Sequence, residues 1–328
     1  MLNPALQRMV VEATHAKHVT PGGVIQSLWS GYGQIIRLQL SGADIDSVIL
    51  KHVKPPSEVD HPRGWHSDAS HIRKLKSYNV EMHWYERWAK HCNDNCRIPK
   101  SYLTTTHGNE CIILLEDLDA AGFSIRKESI EITEVHPCLY WLAYFHAIFL
   151  GKAPKGLWDC GSYWHLDTRT DELAAMQHKS MQQAAPHIDR TLKEARYQTL
   201  IHGDAKLANF CFSDDGKSVS AVDFQYVGGG CGMKDVAYFL GSCLSDKQCE
   251  EDIPRLLNIY FKYLRQATND YHPQVDCDAL EAEWRNLFPV AWVDFYRFLD
   301  GWMPGHWKIN SYTRRLAAEV LKTSACTS

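Results

Sequence analysis

Residues 200–212 read LIHGDAKLANFCF, and residues 219–225 read VSAVDFQ. The two stretches are separated by Asp214-Asp215-Gly216, which is typical of a hairpin turn because glycine tolerates a positive φ. We therefore expect the chain on either side of this turn to form two antiparallel strands. That pairing would place Asn209 opposite Asp223 or one position out of register.

Three oxygen-bearing side chains would converge at one end of this hairpin. They are Asp204, on the loop that leads into the first strand, and Asn209 and Asp223. Carboxylate and amide oxygens are ligands that Mg²⁺ prefers, usually together with phosphate and water. Each residue alone is typical of turns, but this spacing, directly after His202-Gly203, favours a functional site. We expect His202 to bond the loop backbone rather than to act as a base.

The spacing Asp-x4-Asn, followed by a strand that ends in Asp-Phe, resembles the catalytic and metal-binding segments of the kinase fold. Residues 202–204 (HGD) replace the His-Arg-Asp of protein kinases, and residues 223–225 (DFQ) replace their Asp-Phe-Gly. In these departures the chain resembles the aminoglycoside phosphotransferase and choline kinase-like superfamily. With residues 114–118 (LLEDL) and 143–147 (AYFHA), it is most similar to the ecdysteroid kinase-like branch.

This resemblance implies an α+β fold of the bilobal, protein-kinase-like type. Residues 1–117 would form a small, β-rich, nucleotide-binding N-lobe, and residues 118–328 a larger, mainly helical C-lobe. The implied activity is an ATP- and Mg²⁺-dependent transfer of phosphate to a hydroxyl of a small molecule. Asp204 would then be the catalytic base, and Asn209 and Asp223 would hold the metal.

A short glycine-containing segment precedes the predicted strand at 35–40. In Ser30-Gly31-Tyr32-Gly33, glycines would let backbone amides approach phosphates closely. Ser30, Gly31 and Gly33 are therefore predicted nucleotide contacts, and a plain tight turn is the alternative.

Lys51 lies near the end of the predicted strand 47–53 and matches the phosphate-contacting lysine of the superfamily. Lys54 is a competing candidate, and a solvated edge lysine is the structural alternative. Glu81 lies on the aromatic face of a predicted helix, 70–91, where a carboxylate is costly unless it is paired. We expect its partner to be Lys51, although a glutamate at the rim of that face is also possible.

The segment 114–118 would join the two lobes, directly after a predicted buried strand at 111–115. By resemblance, the carbonyl of Glu116 and the amide of Leu118 would contact the adenine edge. The side chains of Glu116 and Asp117 are expected to serve the structure of this linker.

Residues 228–232 (GGGCG) precede Asp235. They predict either a mobile loop beside the metal, with Asp235 pinning that loop or the catalytic segment, or, as we prefer, a flexible turn with Asp235 capping the next helix. Little chain separates Asp223 from that helix, so a protein-kinase activation segment has no room. The acceptor is therefore expected to be a small molecule.

Residues 284–307 combine aromatic rings with carboxylates, a pattern that suits a cationic amine. The same rings could line a pocket for a steroid or another flat apolar alcohol, or simply form the lobe's core. Aminoglycosides are the least favoured acceptor, because the segment is not especially acidic. A catalytically silent nucleotide-binding regulatory module is the alternative function, and a hydrolase using His202 and Asp204 is a third.

The composition narrows the function classes. The chain has 328 residues and a net charge of −4, so it lacks the basic surface typical of nucleic-acid or anionic-membrane binding. Its longest apolar stretch, 138–150, is too short to span a bilayer, and its N-terminus lacks the apolar core of a signal peptide. Eleven cysteines without closely spaced pairs indicate reduced thiols and predict a cytoplasmic protein.

Overall fold

The computed structural model describes residues 2–28, 31–55 and 68–325. A five-stranded antiparallel sheet lies in the first part of the chain, and helices dominate the rest. The strands follow one another across the sheet in the order β1-β2-β3-β5-β4, with β1 at His18–Ser27, β2 at Gly33–Ser41, β3 at Ser47–Val53, β4 at Ser101–His107 and β5 at Glu110–Glu116. The predicted α+β fold with a small β-rich lobe and a larger helical lobe is confirmed.

The central strand β3 is buried on both faces of the sheet. Alternate side chains of a strand point to opposite faces, and Val48 and Leu50 lie in the smaller core that the first helix, α1 (Pro4–Thr14), covers. Val53 belongs to the main core on the other face. The same alternation places Lys51 on that second face, towards the helix that follows.

That helix, α2, spans Asp68–His83 and continues as a π-helical turn at Trp84–Trp88 and a 3₁₀ turn at Ala89–His91. The predicted helix at 70–91 is therefore helical throughout, but its regular α-helical part ends at His83. The fully buried ring of Trp84 stacks on Phe224, with ring centroids 4.6 Å apart. The C-terminal end of α2 is thus anchored on the segment that follows the predicted metal ligand.

The larger lobe is built from seven helices of the described chain and two short strand pairs. None of the helices in the described ranges is both long enough and apolar enough to cross a membrane. The strands β6 (Thr199–Ile201) and β9 (Gly228–Gly230) pair with each other, as do β7 (Phe210–Phe212) and β8 (Val219–Ala221). The helices are α3 (His136–Ile148), α4 (Thr170–Ala175), α5 (Lys179–Lys193), α6 (Met233–Cys243), α7 (Asp246–Tyr271), α8 (Cys277–Trp302) and α9 (Ser311–Ala325).

The segment 171–196, which the periodicity predicts as one helix, forms two helices instead. Between α4 and α5 the backbone amides of Gln177 and His178 both donate to Oδ2 of Asp300, each at 2.8 Å. A carboxylate that accepts two amides fixes the chain in a non-helical turn. Because Asp300 lies more than a hundred residues away in the sequence, local periodicity gives no sign of this break.

The elements that the sequence does not predict include α1, α9, β1 and β4. The strand β1 contains Pro21-Gly22-Gly23, residues that normally signal a turn, and its ladder is irregular there. The strand β4 is a polar, half-exposed edge strand. Neither strand carries the apolar alternation by which strands are recognised.

A buried ion cluster fastens α8 to the rest of the helical lobe. Asp294, almost fully buried, accepts hydrogen bonds from the guanidinium of Arg297 at 2.9 Å and from the indole of Trp164 at 2.9 Å. The ammonium of Lys234 lies 3.2 Å from Oδ2 of Asp294. One carboxylate therefore compensates two buried cations.

We expect Asp294→Ala to destabilise the protein by about 3–5 kcal/mol, because it leaves two buried cations without their counter-ion. The matched control is Asp278→Ala, on the same helix and also paired with an arginine, but with a side chain that is 86% exposed. That change should cost less than about 1 kcal/mol. Urea unfolding measures both, and equal losses would contradict the assignment.

Candidate active site

The predicted catalytic segment, residues 202–209, follows β6 and turns sharply at Gly203. This glycine has a φ of 78°, and a Cβ atom at this position would collide with the carbonyl oxygen of Tyr226. Only glycine combines the left-handed backbone with this close approach. The turn places Asp204 at the mouth of the segment, with its side chain almost fully buried.

Asp235 holds this turn in place from below. One of its carboxylate oxygens accepts the amide of His202 at 2.6 Å, and the other accepts the amide of Gly203 at 2.9 Å. The imidazole Nε2 of His146 lies 3.2 Å from the first oxygen. Asp235 is fully buried inside α6. The preferred interpretation as a helix cap is therefore wrong, because the carboxylate pins the catalytic segment.

His202 has the structural role expected for it. Its Nδ1 accepts the amide of Asp204 at 3.2 Å, and its Nε2 lies 3.0 Å from the carbonyl oxygen of Val222. An imidazole that accepts at Nδ1 and faces a carbonyl at Nε2 donates from Nε2. It joins the two strands of the site and does not act as a free base.

The hairpin brings Asn209 and Asp223 together as predicted. Phe210 pairs with Ala221, and the amide of Val222 donates to the carbonyl of Asn209 at 3.0 Å. Asp223 is thus one position out of register with Asn209. Its φ of 69° is left-handed, so the strand ends and the carboxylate turns towards the cleft.

Asp204 and Asn209 are in direct contact. The Nδ2 group of Asn209 donates to the backbone oxygen of Asp204 at 2.8 Å and to its Oδ2 at 3.1 Å. The ammonium of Lys206 lies 3.0 Å from the same Oδ2. The other oxygen, Oδ1, is buried and has no hydrogen-bond partner within the described residues. Burial raises the pKa of Asp204 above its usual value.

Lys51 and Glu81 form the predicted ion pair, with Nζ 2.6 Å from Oε2 in an almost fully buried setting. The same ammonium lies 3.0 Å from Oδ1 of Asp223. Burial tends to raise the pKa of Asp223, but the ammonium groups of Lys51 and Lys206 outweigh it and lower that pKa well below the usual range. The competing candidate, Lys54, is 70% exposed and pairs with Glu110 on the surface.

Two further residues join this cluster that sequence reasoning missed. Gln225 donates from Nε2 to Oδ1 of Asp223 at 2.6 Å, and its Oε1 accepts from Nζ of Lys74 at 3.2 Å and from Ser77 at 3.2 Å. Burial lowers the pKa of Lys74 to about 8. Lys74 precedes Glu81 by two helical turns on one face, a spacing that could have revealed it.

The glycine segment before β2 is only partly described, because Ser30 lies outside the described residues. Gly31 has a φ of 74° and open space around its Cα. Gly33 has a φ of 126°, and a side chain there would collide with the carbonyl of His52 in β3. Close strand packing alone therefore requires Gly33, and the nucleotide contacts of all three residues stay predictions.

The linker side chains serve structure, as expected. The carboxylate of Glu116 accepts two bonds from Arg97, at 2.7 and 2.8 Å, and Asp117 accepts from Arg37 and Ser47, each at 2.7 Å. The carbonyl of Leu118 accepts the amide of Phe123. The contacts predicted for the Glu116 carbonyl and the Leu118 amide with adenine stay predictions.

Residues 228–230, predicted as a mobile loop or flexible turn, form strand β9 instead. A Cβ atom at Gly228 would collide with the carbonyl oxygen of Trp158, and one at Gly229 would crowd Asp159. The glycines therefore allow close packing of the chain and do not make it mobile.

The aromatic segment near the C-terminus does not present free carboxylates. Asp294 is used by Lys234 and Arg297 as described above. Lys308 instead places its ammonium over three aromatic rings, 5.0 Å from the centroid of Tyr238, 5.4 Å from Phe295 and 5.5 Å from Trp307. Burial lowers the pKa of Lys308 to about 8.

We expect Asp235→Asn to loosen the catalytic segment, because an amide offers one acceptor where the carboxylate satisfies two backbone amides. Losing one charged hydrogen bond should cost about 1.5–3 kcal/mol. Hydrogen exchange of the His202 and Gly203 amides and urea unfolding measure the effect. Unchanged exchange at both amides would contradict the pinning role.

The matched control is Asp246→Asn, because Asp246 also accepts a hydroxyl and a backbone amide, from Ser311 and Tyr312, but at an exposed helix end. That variant should leave exchange of His202 and Gly203 as in the parent protein.

Comparison with known proteins agrees with this geometry. The model of the ecdysteroid kinase-like family matches residues 160–272, which contain the catalytic segment and the hairpin. The chain is similar in structure to an amicoumacin kinase in complex with AMP-PNP and Ca²⁺, with a TM-score of 0.56, 14% identity, and coverage of 98% of this chain and 93% of that one.

A second similar structure is a microcompartment-associated aminopropanol kinase, with a TM-score of 0.52, 14% identity, and coverage of 98% of this chain and 94% of that one. No curated protein sequence matches the chain significantly. The family match over residues 160–272 agrees with the resemblance to the ecdysteroid kinase-like family, and the two solved structures show that this chain shares their fold.

Proposed function

We propose that this protein is an ATP- and Mg²⁺-dependent phosphotransferase whose acceptor is a hydroxyl of a small molecule. The observation that carries the proposal is the convergence of Lys51, Asp204, Asn209 and Asp223, from three segments of the chain, on one cluster. Phosphoryl transfer needs mainly positioning and charge neutralisation. A cluster with one buried cation, two carboxylates and an amide can supply both.

The donor set suits a hard divalent cation. Although Asp223 is buried, its pKa is lowered and the carboxylate stays ionised. Its contacts with Lys51 and Gln225 both use Oδ1. We therefore assign its other oxygen, Oδ2, to the metal. Asn209 donates its Nδ2 group to Asp204, which turns its carbonyl oxygen to the other side. Carboxylate and amide oxygens are magnesium ligands, and the ion would neutralise charge on the phosphates.

The nucleotide would lie between the sheet and the helical lobe. Lys51 would neutralise its phosphates, and Glu81 keeps the ammonium in place. Ser30, Gly31 and Gly33 would cover the phosphates, and the backbone of residues 116–118 would contact the adenine edge.

Asp204 would orient the attacking hydroxyl and accept its proton late in the transfer. Its Oδ2 is occupied by Lys206 and Asn209, whereas the buried Oδ1 lacks a partner in the described chain. Oδ1 is therefore the atom that we assign to the acceptor hydroxyl. The raised pKa of Asp204 makes the carboxylate a better proton acceptor.

The acceptor is small because α6 begins at Met233, ten residues after Asp223, and β9 fills the space between them. The ammonium of Lys308 covers the rings of Tyr238, Phe295 and Trp307, where a cationic amine would otherwise bind. A neutral or anionic group fits beside Lys308 better than a second cation. Of the expected acceptors, this favours a sterol-like or other flat alcohol over an amino alcohol.

The alternative function is a catalytically silent nucleotide-binding module. Such a module would not need an unpaired Asp204 oxygen beside the proposed metal ligands Asn209 and Asp223. It predicts a rise in melting temperature with ATP and Mg²⁺ but no phosphorylated product with any acceptor. The two functions are therefore separable by one binding measurement and one product measurement.

We expect Asp204→Ala and Asp223→Ala each to abolish turnover while the fold survives, since they remove the base and a metal ligand. A coupled ADP-release screen across sterols, amino alcohols, sugars and aminoglycosides measures this, with Asp204→Asn as the blank. Asp214→Ala, in the exposed hairpin turn, is the matched control and should keep full activity. Retained ATP-dependent phosphorylation by either site variant would refute the assignment.

We expect Lys308→Met to shift acceptor preference towards cationic amino alcohols by about tenfold in kcat/KM relative to neutral alcohols, because a desolvated cation–π contact is worth up to about 2 kcal/mol. Lys262→Met, on the exposed face of α7, serves as the control. An unchanged ratio of the two acceptor classes would show that Lys308 does not face the acceptor.

A further inference from the structure

A second cluster of reactive side chains lies in the helical lobe, outside the proposed phosphotransfer site. It consists of Cys160 and His165, on the chain between α3 and α4, and Asp189 on α5. One ligand atom from each lies within 4.8 Å of the other two. His165 and Asp189 are more than nine-tenths buried, and Nε2 of His165 makes no hydrogen bond within the described residues.

The surroundings of Cys160 are electropositive. The buried ammonium of Lys234 lies 3.8 Å from its sulfur, in hydrogen-bonding range for sulfur. On the other side, Nε2 of His165 lies 3.5 Å from Oδ1 of Asp189, an arrangement that favours the imidazolium form. Lys193 closes the cluster at the surface, with Nζ 2.8 Å from Asp189.

Once His165 is protonated, the charges of this network balance when the sulfur is ionised. With His165 protonated, four cationic groups face three carboxylates, and the missing negative charge falls to the Cys160 thiolate. The cations are His165, Lys193, Lys234 and Arg297, and the carboxylates are Asp167, Asp189 and Asp294.

The titration of the two groups agrees with this arrangement. Burial would raise the pKa of Cys160, but Lys234 and His165 together lower it below the ordinary thiol value. Burial would lower the pKa of His165, but Asp189 and Cys160 raise it to about 9. By contrast, burial raises the pKa of the three other half-buried cysteines in the described chain, which are Cys92, Cys243 and Cys277.

We propose that Cys160 is a thiolate modification site, which reacts with hydrogen peroxide and with small soft electrophiles before the other cysteines do. The residue is a free cysteine of intermediate burial. A thiolate in an electropositive, partly exposed setting is the reactive form of cysteine. The proposal is independent of the phosphotransferase function.

The chemistry balances with the peroxide as oxidant. The thiolate attacks one peroxide oxygen, so that an S–O bond forms and the O–O bond breaks. The sulfur is oxidised to sulfenic acid, and the peroxide is reduced to hydroxide, which takes a proton from solvent to become water. With iodoacetamide, an S–C bond forms and iodide leaves.

A divalent metal is a weaker interpretation of the same three ligands. Zinc accepts Cys, His and Asp ligands, but here the Lys234 ammonium adjoins the sulfur and the Lys193 ammonium adjoins Asp189. An entering cation would meet two ammonium groups and would require His165 to lose its proton. The thiolate needs neither change.

Modification of Cys160 would also affect the predicted catalytic segment. The chain next to Cys160 donates the amide of Gly161 to Gly229 at 2.8 Å and the amide of Tyr163 to the carbonyl of Gly203 at 3.2 Å. A group added to the sulfur of Cys160 would disturb these two backbone hydrogen bonds. We therefore expect faster hydrogen exchange at residues 161–163 in the modified protein.

The test is labelling of the metal-free full-length protein with limiting iodoacetamide near neutral pH, with site-resolved mass spectrometry. We expect Cys160 to react about tenfold faster than the half-buried Cys243, and its advantage to grow as the pH falls. His165→Gln should remove most of the advantage, whereas the exposed control His91→Gln should not. Peroxide should give sulfenic acid at Cys160 first.

Two outcomes would overturn the proposal. Labelling of Cys160 at or below the rate of Cys243 in the parent protein would exclude a reactive thiolate. Complete protection of Cys160 by one equivalent of Zn²⁺, reversed by a chelator, would show a metal site instead. Because the parent protein decides both outcomes, the result does not depend on whether His165→Gln folds.

Discussion

The buried ammonium of Lys51 is the contact on which the rest of the cleft depends. An unpaired cation in this buried position would strongly destabilise the fold. The ammonium of Lys51 is paired with Glu81 at 2.6 Å and with Asp223 at 3.0 Å. These three residues come from the sheet, the helix α2 and the hairpin of the helical lobe. The two lobes are therefore fastened to each other at the same point where phosphate would bind. Loss of either carboxylate would leave the Lys51 ammonium with a single counter-ion.

Below this contact, the helical lobe positions its polar groups by backbone hydrogen bonds. Asp235 holds the amides of His202 and Gly203, and His202 in turn holds the amide of Asp204 and the carbonyl of Val222. Asp204, the base of the proposed reaction, is thus positioned by groups that take no part in that reaction. Such support from rigid elements is what lets a site act by positioning.

The sequence predicts those features that depend on short spacings. The distance from the turn at Gly216 sets the register of Asn209 and Asp223, and the aromatic face of α2 shows that Glu81 needs a cationic partner. The contacts of Gln225 and Asp235 could not be assigned in this way, because the partners of Gln225 lie on α2 and those of Asp235 lie on α3 and after β6, and only folding brings them together. The strand β1 was hidden by its own glycines and proline, because pairing with β2 overrides the local preference of these residues for turns.

The hydrogen bonds of the Gln225 side-chain amide fit one orientation of that group only. Its NH₂ group faces the carboxylate of Asp223 and its oxygen faces the ammonium of Lys74, so a 180° rotation would set like polarity against like at both ends. The side chain therefore links α2 to the segment that carries Asp223. A displacement of α2 relative to the hairpin would have to move Asp223 with it or break these hydrogen bonds.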